Sequence, residues 1–336
     1  MIPPGRPQGE HRRAQSAGAP VSAPGCFQAP SAQRGAALLM AMVIVTMVAA
    51  MAGATVWQQW RAVQVETAER ARAQSAWILQ GALDWSRLIL REDARNGGPD
   101  HLGEPWAVPL AEARLSTFLA ADRDNTDDAP DAFLSGRIED AQARYNLRNL
   151  VNRTEISAPD LRALERLCEV AEVPPAVAQR IAAGLRDAQS PRPGGETPLN
   201  PQTLDQLTWL GVDPDSLAKL RRFVTLLPAR APLNLNTAER EVIAAVVDGL
   251  DLASAQRVVQ ERQRSPFKAL AAVQALLPPS VALDPQRVGV ASRYFVVSGR
   301  LRLHERSLEE RSLVERRGVE VIALWRERVA GVGELK

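Results

Sequence analysis

The groups in this 336-residue chain that could do chemistry include Asp100, His101 and Glu104, three potential metal ligands in one short run. Carboxylates and an imidazole at such spacing can hold a divalent cation. The run that carries them, DHLGEPWAVPL (100–110), contains two prolines, and a solvated connector with Trp106 docked on the core is expected instead of a metal site. DRDNTDDAPD (122–131) brings further carboxylates close together. It lacks the glycine and the closing glutamate of an EF-hand loop and reads as a hydrated turn. His11, His101 and His304 are too far apart for a compact histidine motif. No serine, cysteine or threonine shows a partner motif, and G-x-S-x-G, H-E-x-x-H and P-loop patterns are missing. The expectation is a protein that is no enzyme and carries neither metal nor cofactor.

A second possible chemistry is phosphate binding. The segment APLNLNTAEREVIAAVVDGLDLASAQRVVQERQRSPFKAL (231–270) resembles helix-hairpin-helix modules of DNA-uptake and repair proteins. In those, a hairpin with two glycines points backbone N–H groups at phosphate. Here the turn reads Asp248-Gly249-Leu250-Asp251, with one glycine and two carboxylates where a phosphate would approach. Arg257, Arg262, Arg264 and Lys268 would be the contacts, but Glu239, Glu241 and Glu261 offset them. The net charge of +2 adds no case for a polyanionic partner. A membrane-anchored DNA-binding protein of the uptake type is therefore the competing reading, and no nucleic acid is expected. Asn236 is placed to cap a helix starting near Ala238.

What must position these groups begins with a membrane segment. Ala36 to Trp57 is 22 residues without a charge, enough to cross a bilayer as a helix. The preceding residues are rich in Pro, Ala, Gly and Ser, cannot bury a core, and carry Arg6, Arg12, Arg13 and Arg34. Those arginines favour a cytoplasmic N-terminus, which sends everything after Trp60 across the membrane. A cleaved secretory signal would have a shorter apolar core followed by small residues at a cut site. Cys26 lies in the leader, so its removal leaves Cys168 without an intramolecular disulfide partner.

Beyond Trp60 the Ala-, Arg- and Glu-rich sequence keeps high helix propensity, with Ile78, Ala82, Trp85 and Ile89 as a packing stripe. Asn96-Gly97-Gly98-Pro99 breaks it. SGRIEDAQARYNLRNLV (135–151) alternates Ala141, Ala143, Tyr145 and Leu147 and reads as a strand or hairpin. From 156 to 288 the pattern is short helices, opened near Asp160, Pro174-Pro175, Pro201 and Pro214. RYFVVSGRLRLHE places Phe295, Val297, Gly299, Leu301 and Leu303 on one face, and VERRGVEVIALWRER (314–328) is read as one further strand. A helical block between strands reads as an insertion into a small α+β domain.

Arg34-Gly35 followed by Ala-Ala-Leu-Leu-Met resembles the leader boundary of type IV pilin-like proteins. That resemblance implies cleavage by a prepilin peptidase between Gly35 and Ala36, leaving the apolar segment in the mature protein. The leader is longer than most in that family, which allows a start codon further downstream. Met40 stands at mature position five, where the family carries glutamate. With DHLGEPWA, GRIEDAQARYNLRNLV and PLNLNTAEREVIAAVV following in that order, the chain from about Arg34 to Arg328 resembles the K minor pseudopilins of the type II secretion system.

The resemblance implies a pilin-like fold with a long N-terminal transmembrane helix, a small antiparallel sheet and a large all-α inserted domain. The implied division is a cleaved leader (1–35), a membrane and spine helix (36–93), a first pilin-like part (94–155), the insert (156–288), final strands (289–328) and a tail (329–336). It also implies an inner-membrane, single-pass protein with its C-terminal domain in the periplasm, working at the tip of a filament. The implied partners are the I and J minor pseudopilins, other pseudopilins and the prepilin peptidase. Family members carry an aspartate run in the insert. The matching stretch here, RIAAGLRDAQSPRPGGETP, has Ala183, Arg186 and Ala188 at the aspartate positions, with Asp187 out of register and Glu196 alone. Too few oxygens remain for calcium, so no tight site is expected there.

Overall fold

A computed structural model of the chain describes residues 34–115, 132–189, 198–303 and 306–329. The leader with Cys26 and His11, the acidic run through 131, most of the 190–198 loop with Glu196, and His304 lie outside the described residues. One helix, α1, spans Arg34–Asn96. The chain divides into two units, one up to Thr67 and one from Ala68 onward.

In the first unit, the described part is the front of α1. Residues 36–57 are exposed throughout, in a stretch long and apolar enough to cross a membrane.

In the second unit, α1 packs on a sheet through Leu79, Leu83 and Leu90, with Ile78, Ala82 and Ile89 half-buried beside them. Trp85, expected in that stripe, is 64% exposed. Two residues beyond Leu83 is about 200° around a helix, so burying Leu83 turns Trp85 outward. The helix stops where Gly97 and Gly98 both take positive φ.

The strands follow in order: β1 (Leu110–Arg114), β2 (Ala132–Asp140), the two-residue strands β3 (Tyr145–Asn146), β4 (Val151–Asn152), β5 (Glu155–Ile156), β6 (Val224–Thr225), β7 (Leu233–Asn234) and β8 (Val288–Gly289), then β9 (Tyr294–Leu303), β10 (Arg306–Arg317) and β11 (Glu320–Val329). Five of them form an antiparallel sheet ordered β1-β2-β9-β10-β11. Phe295, Val297 and Leu301 of β9 are buried, as the alternation requires, and Gly299 lets Leu79 sit directly on the sheet. The stretch 314–328 is a hairpin and not one strand, because Gly318 turns at φ 59° between β10 and β11.

The helices of the insert are α2 (Ala158–Val170), α3 (Ala176–Gln189), α4 (Pro214–Leu220), α5 (Arg240–Val246), α6 (Leu252–Arg264) and α7 (Leu270–Gln274). The stretch after Pro201 is a 3₁₀ turn at Asp205–Leu210. Aspartates cap α4 and α6: Asp213 and Asp251 accept the N–H groups of Ser216 and Ser254 at 2.8 and 2.7 Å. The core of this module includes Leu164, Ile181, Leu217, Val242 and Val258, and reaches back to Tyr145, Leu147 and Leu150, upstream of residue 156. The class is α+β, with a long apolar N-terminal helix, an antiparallel sheet and a module that is mainly helical but, contrary to the all-α expectation, contains the two-residue strands β6 and β7 paired with β3 and β8.

Candidate functional site

The residues of the expected cleavage boundary open α1. Arg34 and Gly35 fall in its first turn, followed by Ala36, and Met40 and Trp57 are 67% and 59% exposed. A helix in water would bury such residues, and in lipid exposure of Met and Trp carries no cost.

The stretch expected as a strand or hairpin at 135–151 does something else after Asp140. Asp140 and Asn146 each accept the backbone N–H two residues on, from Gln142 at 2.8 Å and from Arg148 at 3.1 Å. These local bonds coil Ala141–Ala143 and Leu147–Leu150 into 3₁₀ turns. The polar side chains of the run then hold the segment that links the two halves of the helical module. Asn146 accepts from Leu227 N–H and donates to the Ala229 carbonyl; Asn149 accepts from Ala231 N–H and donates to its carbonyl. Arg148 donates to the carbonyls of Leu227 and Pro201 and to Asn200. A linker without regular structure, buried at Leu227 and Ala231 and exposed at Pro228 and Ala229, is thus held with backbone groups of Leu227, Ala229 and Ala231 paired.

A second buried network ties this module to the sheet. Asp140 is 4% exposed and accepts from Asn234 Nδ2, Thr237 Oγ1 and Ser292 Oγ at 3.0, 2.5 and 2.6 Å. Burial pushes its carboxyl above the usual range, against those hydrogen bonds. Asn236 does not cap a helix: it exchanges two bonds with the backbone of Phe267, and Glu239 occupies the start of α5.

Most of the connector after α1 is solvent-exposed as expected, Leu102, Gly103, Pro105, Val108 and Pro109 among it, but Asp100 is not. Asp100 is 1% exposed, with Ser292 N–H and Arg316 on its oxygens. Arg316 also reaches Asp93 on α1 and the Ser292 carbonyl, and lies over the Phe295 ring. Trp106 is buried edge-on against Phe295, as expected of it. Its indole N–H and His101 N–H both donate to Glu104 Oε2, at 2.7 and 2.8 Å. Oxygens of Asp93, Asp100 and Glu104 lie within 4.8 Å of one another. His101 is outside this cluster, its Nδ1 accepting from Gly103 N–H. Burial raises the Glu104 carboxyl to about 7 and raises Asp100 as well. The three acids are already served by Arg316 and three N–H donors, those of Ser292, His101 and Trp106, so the arrangement is an interior brace.

The Asp248–Asp251 turn is also committed internally. Asp248 pairs with Arg166 at 2.9 Å and Arg287 at 3.1 Å; its desolvation is outweighed by these arginines, which hold it below the usual range. Of the arginines offered for phosphate, the half-buried Arg262 donates to the Leu235 carbonyl at 2.6 Å and Arg257 to Ser254. Arg264 sits 3.6 Å from Glu261.

The chain matches the family described as type II secretion system (T2SS), protein K, over residues 143–229 and 233–291. It is 28% identical over 264 residues to the type II secretion system protein K of Pseudomonas aeruginosa, covering 70% of this chain and 74% of that one. Against the protein of the same description from Pectobacterium carotovorum subsp. carotovorum it is 26% identical, over 88% of this chain and 97% of that one. Its fold is similar to a chain in the crystal structure of the GspK-GspI-GspJ complex from the enterotoxigenic Escherichia coli type 2 secretion system. The TM-score is 0.62 at 20% identity, over 79% of this chain and 99% of that chain. Asn146, Arg148 and Asn149 of the polar run and Asn234 and Thr237 of the second network fall inside the matched stretches, while Asp140 and Ser292 lie just outside them. With a membrane-length helix in front of an α+β body, the chain belongs to the type II secretion system protein K family, the minor pseudopilins, and is a structural component and not an enzyme.

Proposed function

We propose that this chain sits at the tip of the type II secretion pseudopilus and initiates or caps the filament that drives export across the outer membrane. Its mature form starts at Ala36 after prepilin peptidase cuts the Gly35–Ala36 bond on the cytoplasmic side of the inner membrane. The body from Ala68 on lies in the periplasm, where it joins the I and J minor pseudopilins and, through them, the other pseudopilins.

The observation that carries the reading is Met40. In pilin-like filaments, the glutamate at mature position five pairs with the N-terminal amine of the subunit assembled before it. A carboxylate at mid-helix in lipid costs about 2.5–3.5 kcal/mol unless a partner compensates it. The first subunit has no earlier neighbour, so a glutamate there would remain unpaired. Met40 avoids that cost and leaves the Ala36 amine for the next subunit. The helical module supports the same position, because so large an appendage obstructs stacking everywhere but at an end.

The test is N-terminal sequencing of the mature protein from cells with and without prepilin peptidase. Ala36 as first residue only when the peptidase is present is the expected result, with Gly35→Leu left unprocessed and secretion blocked. Normal secretion by Gly35→Leu would overturn the reading.

A further inference from the structure

A groove of about 560 Å³ lies in the second unit, where the connector after α1, the turn between α6 and α7 and the stretch leading into β9 meet. Its volume falls within the range of ligand clefts, about 300–1,000 Å³. Pro99, Pro266 and Val290 make it mostly apolar, while Lys268, His101 and Ser265 bring polar side chains, and no carboxylate lines it. The Lys268 ammonium has no partner among the described residues. His101 Nδ1 accepts from Gly103 N–H at 3.1 Å, so the neutral ring carries its proton on Nε2 and keeps a donor there. The carboxylates next to His101 in sequence, Asp100 and Glu104, are committed to the brace. The walls are tied together: Asp100 N–H donates to the Val290 carbonyl at 3.0 Å, and Asn236 Nδ2 reaches the carbonyls of Phe267 and Val290 at 3.0 and 3.4 Å. A groove so braced needs little ordering when it is filled.

We propose that this groove receives the C-terminus of a partner protein, its carboxylate held by Lys268 and His101 and its last, apolar side chain against Pro99, Pro266 and Val290. The charge selects an anion, because a cation and a ring donor line the groove with no acid to neutralise them. The apolar walls select an anion carried on an apolar chain. Pro99 and Pro266 have no N–H and the Val290 carbonyl is taken, so a strand finds no backbone edge there and recognition falls to side chains. A C-terminal residue brings a carboxylate and an apolar side chain on one Cα, which is the combination the groove offers. An internal aspartate or glutamate has its carboxylate in place of that apolar side chain, and the amides after it would be desolvated against the prolines without partners. The proposal is independent of where the chain stands in a filament.

The experiment uses the full-length chain in detergent micelles and a fluorescently labelled alanine peptide closing on leucine with a free carboxylate, read by anisotropy. The chain should raise the anisotropy saturably, beyond empty micelles. Amidating the peptide C-terminus should weaken binding about tenfold, the order expected when a hydrogen bond to a charged group is lost. Lys268→Gln should do the same with an unchanged thermal midpoint, since that side chain supports nothing in the fold. Ala291→Trp, which fills the groove, should abolish binding, and Lys268→Gln serves should Ala291→Trp destabilise the chain. Lys219→Gln, on α4, should bind as wild type does. Equal binding of the free and amidated peptides, or no binding of either, would overturn the proposal. So would carboxylate-dependent binding that survives both groove variants. Displacement of the peptide by an equal concentration of hexanoate would overturn the choice of a peptide in favour of a free carboxylic acid.

Discussion

Arg316 on β10 places one guanidinium nitrogen 2.6 Å from the carboxylate of Asp93, at the end of α1 and 223 residues earlier in the chain. Its other terminal nitrogen holds both oxygens of Asp100. One side chain thereby fastens the spine helix, the connector after it and the sheet. Removing one partner of a buried ion pair strands the other charge. Arg316→Met should cost about 3–5 kcal/mol on that principle, read as a lowered urea midpoint. A midpoint within error of wild type would show that the brace is dispensable.

Glu104 sets a pH dependence of defined sign. Its carboxyl is raised in the fold from 4.5 to about 7, so the protonated form is the one the fold favours. The stability this contributes is full below about pH 4.5, declines as pH rises, and is gone once pH passes about 7. Asp100 and Asp140 are shifted in the same direction. Glu104→Gln keeps an oxygen for the Trp106 and His101 N–H groups and cannot ionise. Thermal midpoints measured from pH 5 to 8 should therefore fall less steeply for Glu104→Gln than for wild type, and parallel curves would refute the assignment.

Asn149 holds both backbone groups of Ala231. Asn149→Leu removes those partners from a buried backbone segment, at about 1–3 kcal/mol for each group left unpaired. Hydrogen exchange at Ala231 should quicken relative to the α2 amides. Unchanged protection there would mean the linker is held by packing alone.

Two glycines that face each other across β2 and β9 should differ in tolerance. A Cβ at Gly136 would come within 2.9 Å of the Ser298 carbonyl, which is backbone. One at Gly299 would meet the end of the Leu79 side chain at 3.2 Å, and that side chain can shift. Overpacking costs of about 1–3 kcal/mol place Gly136→Ala at the upper end and Gly299→Ala at the lower. The reverse order of urea midpoints would contradict the packing described.

Local rules made much of this legible in advance. The Asn96–Pro99 breaker, the inward face of β9 and the proline at the start of α4 depend on neighbours within a turn or a strand, and each acts where expected. What stayed hidden depends on distant partners. Asp100 looked solvated because its arginine lies 216 residues away in a run of charges that carries no pattern. Tyr145 and Leu147 alternate like a strand, yet the pairing stops after Tyr145–Asn146 and Leu147 opens a 3₁₀ turn because Asn146 bonds to the backbone ahead. Asn236 has the residue type of a cap, and its bonds to Phe267 could not be inferred before α5 and α6 were folded together. Trp85 fitted a stripe by spacing, but the leucines one face over were the ones buried.

The central claim is that this chain ends the filament, with Met40 uncharged because no earlier subunit exists to pair with a glutamate. Immunogold labelling of purified pseudopili with an antibody against the helical module tests it most directly. Label at one end only is the predicted result, and it should persist in Met40→Glu. Label at regular intervals along the filament would contradict the account.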